Sequence, residues 1–122
     1  MCRTPKTINS RGAYVTLMSQ KAEKPENADT PREFKDAVDD GRVLVDFYAD
    51  WCAPCRTMEP AVEEVADEGV RVVKVDIDEN QKTASAYGVR SVPTLIVFED
   101  GEPVTRAVGA KSADELRELV GR

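Results

Sequence analysis

From Thr30 onward, the apolar residues fall into alternating strand-like runs and helical stripes. Arg42–Tyr48 (RVLVDFY) is a short, largely apolar run between Gly41 and a cysteine loop, and it predicts a strand. Met58, Val62, Val65 and Ala66 then recur at helical spacing, which predicts a helix from about Cys52 to Glu68, ended by Gly69. Pro60 lies inside that helix and is expected to bend it, because proline removes a hydrogen bond there. Val70–Ile77 (VRVVKVDI) reads as a second strand, and Glu79–Tyr87 as a short helix closed by Gly88. Thr94–Phe98 and Val104–Val108 read as strands joined through Asp100-Gly101, a strong hairpin signal. Two sequences of capping-box type mark helix starts: Thr30-Pro31-Arg32-Glu33, with Gly41 as the stop, and Ser112-Ala113-Asp114-Glu115 before the final helix.

Strand, helix, strand implies a parallel pair with a right-handed crossover, and the later hairpin adds an antiparallel strand. The expected fold is therefore α/β, a central mixed sheet flanked by helices on both faces. Residues 30–122 form the expected domain, behind a flexible N-terminal extension of residues 1–29. In that extension only Ala13–Met18 (AYVTLM) has strand character. No apolar stretch of about 7–15 residues follows its basic residues, which argues against a secretory signal. An organellar transit peptide is compatible with its composition. A disordered tail, or sequence upstream of a true start at Met18, is the simpler reading.

Length and charge narrow the function. A chain of 122 residues holds one apolar core of useful size. No run reaches the roughly 18 apolar residues needed to cross a bilayer. The balance of 23 Asp plus Glu against 17 Lys plus Arg argues against nucleic acid or an anionic membrane as partner. The charge is uneven: before Glu23 there are Arg3, Lys6, Arg11 and Lys21 but no acid. From Met18 onward, 14 basic and 23 acidic side chains give a net charge of −9. Such a domain stays soluble under heavy screening, so a salt-rich cytoplasm is one setting that suits it.

There are three cysteines and no histidine, which excludes Ser-His-Asp and Cys-His catalysis. Cys2 stands alone, while Cys52 and Cys55 form a C-x-x-C where a strand ends and a helix begins. Unsatisfied amides at a helix N-terminus stabilise a thiolate there, so Cys52 is the expected low-pKa, exposed sulfur. Cys55, one turn on, is expected to sit behind it. One cysteine that attacks and one that resolves suit thiol–disulfide exchange. A zinc site would need four N or S ligands, and too few are present. An inert disulfide would gain little from so short a loop. Asp46 interrupts an apolar strand just before the loop. It is either a buried carboxylate with a raised pKa, poised to accept a proton from Cys55, or a member of a solvated face beside Tyr48. Trp51 reads equally as an exposed cover or a core residue. Only about one X-Pro bond in twenty is cis, so Val92-Pro93 taken alone reads as trans.

LVDFYADWCAPC, Pro60, VKVDIDEN, YGVRSVPT, FEDGE and VGA, in that order and spacing, closely resemble the thioredoxin family from Thr30 to the C-terminus. The resemblance implies that Cys52 is the nucleophile and Cys55 the resolving cysteine. It implies that Asp46 is a buried proton acceptor and that Lys74 approaches and modulates it. It also implies that Pro93 is a cis-proline opposite the disulfide. Trp51, Ala53, Pro54, Val92, Pro93, Gly109 and Ala110 become the surface that receives targets, with the Val92 backbone hydrogen-bonding a bound strand. Three departures stand out: Ala53 where the family usually has Gly, Tyr48 where relatives often have Trp, and no strand character at Glu26-Asn27-Ala28-Asp29. The family's first strand is thus missing, shortened, or supplied from Ala13–Met18.

The expected function is reduction of disulfides in target proteins, by a cytoplasmic monomer with no bound cofactor or metal. The family is re-reduced by a thioredoxin reductase, either an NADPH-dependent flavoprotein or a ferredoxin-dependent enzyme. A disulfide oxidase or isomerase usually places His inside the C-x-x-C, where this chain has Ala53-Pro54. A non-catalytic binding module on the same fold is the alternative from another class. Such modules commonly lose a cysteine or the buried aspartate, and both are kept here.

Overall fold

The computed structural model describes residues 7–8, 14–15 and 25–121. Cys2 and most of Ala13–Met18 lie outside them. The elements in chain order are β1 (Thr7–Ile8), β2 (Tyr14–Val15), β3 (Glu26–Asn27), α1 (Pro31–Val38), β4 (Arg42–Tyr48), α2 (Ala53–Asp67), β5 (Val72–Asp76), α3 (Gln81–Ala86), β6 (Thr94–Glu99), β7 (Glu102–Val108) and α4 (Ala113–Leu119). Capping chemistry explains two of the helix starts. Thr30 Oγ1 accepts the Glu33 N–H at 3.0 Å, and Pro31, which has no N–H to satisfy, opens α1. The return half of that expected box misses by one residue, since Glu33 Oε1 accepts from Asp29 N–H. At Ser112 both halves form, at 3.1 and 2.9 Å.

The main sheet has the order β3-β5-β4-β6-β7. β4 pairs parallel with β5, as the crossover through α2 requires, and antiparallel with β6, which the hairpin joins to β7. The hairpin turn is two residues, Asp100 and Gly101, both with positive φ (52° and 89°), which matches the twist of the strands it joins. Asp100 also ties the turn down, its Oδ1 accepting the Gly41 N–H at 2.8 Å. Of the three options left open for the family's first strand, the shortened one is realised. Glu26 and Asn27 pair parallel with Val73 and Lys74 of β5, and Ala28 N–H extends the ladder to the Lys74 carbonyl at 3.0 Å. Sheet structure thus begins before the expected boundary at residue 30. Tyr14 and Val15 pair with β1 in a separate two-stranded sheet, so they do not supply that edge.

Alternation along β4 sends its residues to two cores. Val43, Val45 and Phe47 pack with Phe34 and Val38 of α1 and with Val73, Val75, Ile96 and Phe98. Leu44 packs on the opposite face with Met58, Val62, Val65 and Ala66 of α2 and Leu116 of α4. The α2 stripe read from sequence is therefore its buried face, and the helix continues through Pro60. Arg117 bridges α4 to α2 through Glu64 and Glu68. Phe34 is 3% exposed, with ring centroids 5.4 Å from both Tyr87 and Phe98 and 6.1 Å from Phe47. Phe34→Ala should therefore cost about 3–5 kcal/mol, measurable by urea unfolding, because the cavity lies between a helix and a sheet that cannot collapse onto it.

Candidate active site

β4 ends at Tyr48, and α2 begins five residues later, which places Cys52 at the N-cap of α2. Cys52 and Cys55 are joined in a disulfide, with their Cα atoms 5.3 Å apart. Cys52 Sγ accepts the Cys55 N–H at 3.1 Å, so an amide of the first helical turn is spent on sulfur. The helix starts one residue later than expected, and the expected difference in exposure is absent. Cys52 is 3% and Cys55 4% exposed, because the bonded pair packs as a unit against Ala49, with Tyr48, Ile77 and Val92 around it. What distinguishes the two sulfurs is position: Cys52 caps the helix and Cys55 lies within it.

The other sequence-derived residues fall as follows. Trp51 is 66% exposed and its Nε1–H donates to Asp78 Oδ2 at 2.9 Å, so it is a cover and not core. Ala53 and Pro54 are exposed beside it, as is Ala110. Val92 packs against the cysteine pair, and the Val92-Pro93 bond is cis, as the resemblance implied and the bare frequency did not. Gly109 N–H donates to the Pro93 carbonyl at 2.9 Å, which joins the end of β7 to the start of β6 beside the site. Disulfide, cis-proline and glycine thus form one apolar rim.

Asp46 lies beneath that rim. It shares the sheet face of Leu44, the face covered by α2, and is 1% exposed. Its Oδ1 is buried without a hydrogen-bond partner. Burial pushes its pKa up from 3.8 to about 7, against the pull of Lys74 and with the help of Glu59. Lys74 is its register neighbour on β5, with Nζ 4.6 Å from the Tyr48 ring centroid and 3.4 Å from Glu59 Oε2. Sequence reading missed Glu59 and Asp78. Glu59 could have been found, since it stands four residues after Cys55 in the same helix. The Asp78 bond to Trp51 spans 27 residues and left no local signal.

A redox-active cysteine pair on this sheet defines a thiol–disulfide oxidoreductase. The family model described as Thioredoxin matches residues 26–122. The chain is 46% identical over 96 residues to thioredoxin of Bacillus subtilis, covering 76% of this chain and 92% of that one. Against thioredoxin of Chlamydia trachomatis it is 45% identical over 91 residues, covering 73% and 89%. A solved mutant thioredoxin from Halobacterium salinarum NRC-1 superposes with a TM-score of 0.78 at 47% identity, over 82% of this chain and 90% of that one. The chain belongs to the thioredoxin family, and it reduces protein disulfides by dithiol–disulfide exchange at Cys52 and Cys55. Among the described residues there is no cluster of metal-ligating side chains and no helix long and apolar enough to cross a membrane.

Proposed function

We propose that Cys52 is the attacking sulfur and Cys55 the resolving one, with Asp46 as proton acceptor and Lys74 as its modulator. The observation that carries this reading is the Cys55 N–H directed at Cys52 Sγ from the first turn of α2. In the reduced protein the same donor and the helix terminus favour a thiolate on Cys52. That thiolate attacks one sulfur of a target disulfide, the S–S bond breaks, and one target thiolate leaves. Cys55 then gives its proton to Asp46 and attacks Cys52 Sγ. The second target thiolate leaves, and the Cys52–Cys55 disulfide holds the oxidising equivalent. Two electrons have passed to the target, and a thioredoxin reductase returns two to the chain.

Targets dock on Trp51, Ala53, Pro54, Val92, Pro93, Gly109 and Ala110, an apolar surface around the buried sulfurs in which Trp51, Ala53, Pro54 and Ala110 are exposed, Val92 and Gly109 half-buried and Pro93 buried. The physiological donor is an NADPH-dependent flavoprotein or a ferredoxin-dependent reductase, and the chain works as a cytoplasmic monomer. Residues 1–17 are an extension dispensable for this chemistry. Insulin reduction with dithiothreitol, followed as turbidity, tests both statements. The full chain and a chain starting at Met18 should give equal rates and similar melting temperatures. No acceleration over dithiothreitol alone would favour the non-catalytic module instead. A large fall in melting temperature for the shorter chain would give the extension a structural role.

A further inference from the structure

One charged group near Asp46 has no part in the cycle above. Glu59 lies on α2 four residues after Cys55, so the two side chains share one stripe of the helix. Its own side chain is 47% exposed, whereas that of its partner Lys74 is only 17% exposed. Glu59 and Lys74 line one wall of a polar cleft of about 650 Å³, with Tyr48 and Glu63 beside them. Lys74 is held there from two sides, by Glu59 Oε2 at 3.4 Å and by the Tyr48 ring. Yet the strand register puts Lys74 directly beside Asp46, whose Oδ1 is buried with no hydrogen-bond partner. A lone buried carboxyl oxygen with a lysine next to it, and no bond between them, calls for a physical cause.

We propose that Glu59 is a positioning residue that holds the Lys74 ammonium at the cleft wall and so keeps it off the Asp46 carboxyl. The inference rests on the reading of Asp46 as the proton acceptor. An ammonium bonded directly to Asp46 would keep it ionised and reduce its capacity to take and hold a proton. With Lys74 drawn outward, the carboxyl stays near the protonation balance that its burial sets. Glu59 thereby tunes the proton acceptor through Lys74 without touching the sulfurs. Among the described residues the charged or titratable groups that bear on Asp46 in the oxidised chain are three, since the Cys55 sulfur of α2 is held in the disulfide. β5 presents Lys74, α2 presents Glu59, and its own strand presents Tyr48. β6 places Leu95 beside it, and α4 contributes Leu116 to the same layer; neither titrates.

The test is the titration of the Asp46 carboxyl by carbon NMR in the full, oxidised chain, where Cys52 and Cys55 do not titrate. Asp46→Asn identifies the signal. Glu59→Gln keeps the shape of the side chain but frees Lys74 to turn inward. The Asp46 midpoint should then fall by about one pH unit, the low end of what a contacting cation does to a carboxyl. In a Lys74→Met background the same Glu59→Gln change should move the midpoint much less. An unmoved or rising midpoint in Glu59→Gln would overturn the proposal. So would an undiminished fall in the Lys74→Met background, since Glu59 would then act by its own charge alone. A separate measurement keeps the underlying reading distinct: the pH profile of mixed-disulfide resolution should lose its inflection in Asp46→Asn. A profile that keeps it removes Asp46 from the mechanism, and with it the proposal's premise, whatever the NMR midpoints do.

Discussion

Serine at position 52 is expected to reduce insulin-disulfide reduction to the background of dithiothreitol alone. Serine at position 55 should leave the first half-reaction intact and stop the second. The two cysteines are equally buried in the disulfide form, so exposure does not distinguish them. The asymmetry comes from the N-cap: only Cys52 Sγ receives an amide of the first turn. A thiolate there is stabilised by that donor and by the positive end of the α2 dipole. Without Cys55 the mixed disulfide has no internal thiol to release it, and uncatalysed rearrangement takes minutes to hours. Mass spectrometry of each variant after incubation with a peptide disulfide reads the difference. The Cys55→Ser chain should carry one half of the peptide in near-stoichiometric amount, and the Cys52→Ser chain almost none. Capture by the Cys52→Ser chain alone would reverse the roles.

The parts of this molecule that local pattern announces are those with a long apolar period or strong turn chemistry. β4 and the α2 stripe were legible because a buried face must be apolar. The β6–β7 hairpin was legible because few residues tolerate the positive φ of its turn. β3 was not. It has two residues, both exposed and polar, and forms because the edge of β5 offers unpaired backbone groups to a chain passing beside it. Asp46 could not be decided from its own strand, since both faces of β4 look alike in sequence. Its burial follows from helices covering both faces of β4, α1 on one and α2 with α4 on the other, a property of the packed structure. Cys52 was expected to be exposed because a helix start usually is. The disulfide draws it under Val92, which arrives from a part of the chain 40 residues away.

Removing the Asp46 charge is expected to stabilise the oxidised protein in a strongly pH-dependent way. Folding buries this carboxyl and raises its pKa from 3.8 to about 7, with desolvation as the main cause. Between those values the unfolded chain is ionised there while the folded chain retains the proton. The folded state binds more protons, so stability declines as pH rises through this window, and the loss is complete above it. A shift of about three units corresponds to about 4 kcal/mol. Asn is close to the protonated side chain in shape and never ionises. Asp46→Asn should therefore match the wild type near pH 4 and exceed it by up to about 4 kcal/mol at pH 8, in urea unfolding with the disulfide intact. The same variant should resolve mixed disulfides about a hundredfold more slowly, because Cys55 has lost its proton acceptor. That deficit should shrink above about pH 8.5, where a thiol ionises unaided. Greater stability bought with slower resolution is the joint signature of a buried charge kept for its chemistry. A variant that is less stable at pH 8, yet resolves mixed disulfides at the wild-type rate, would make Asp46 a structural residue.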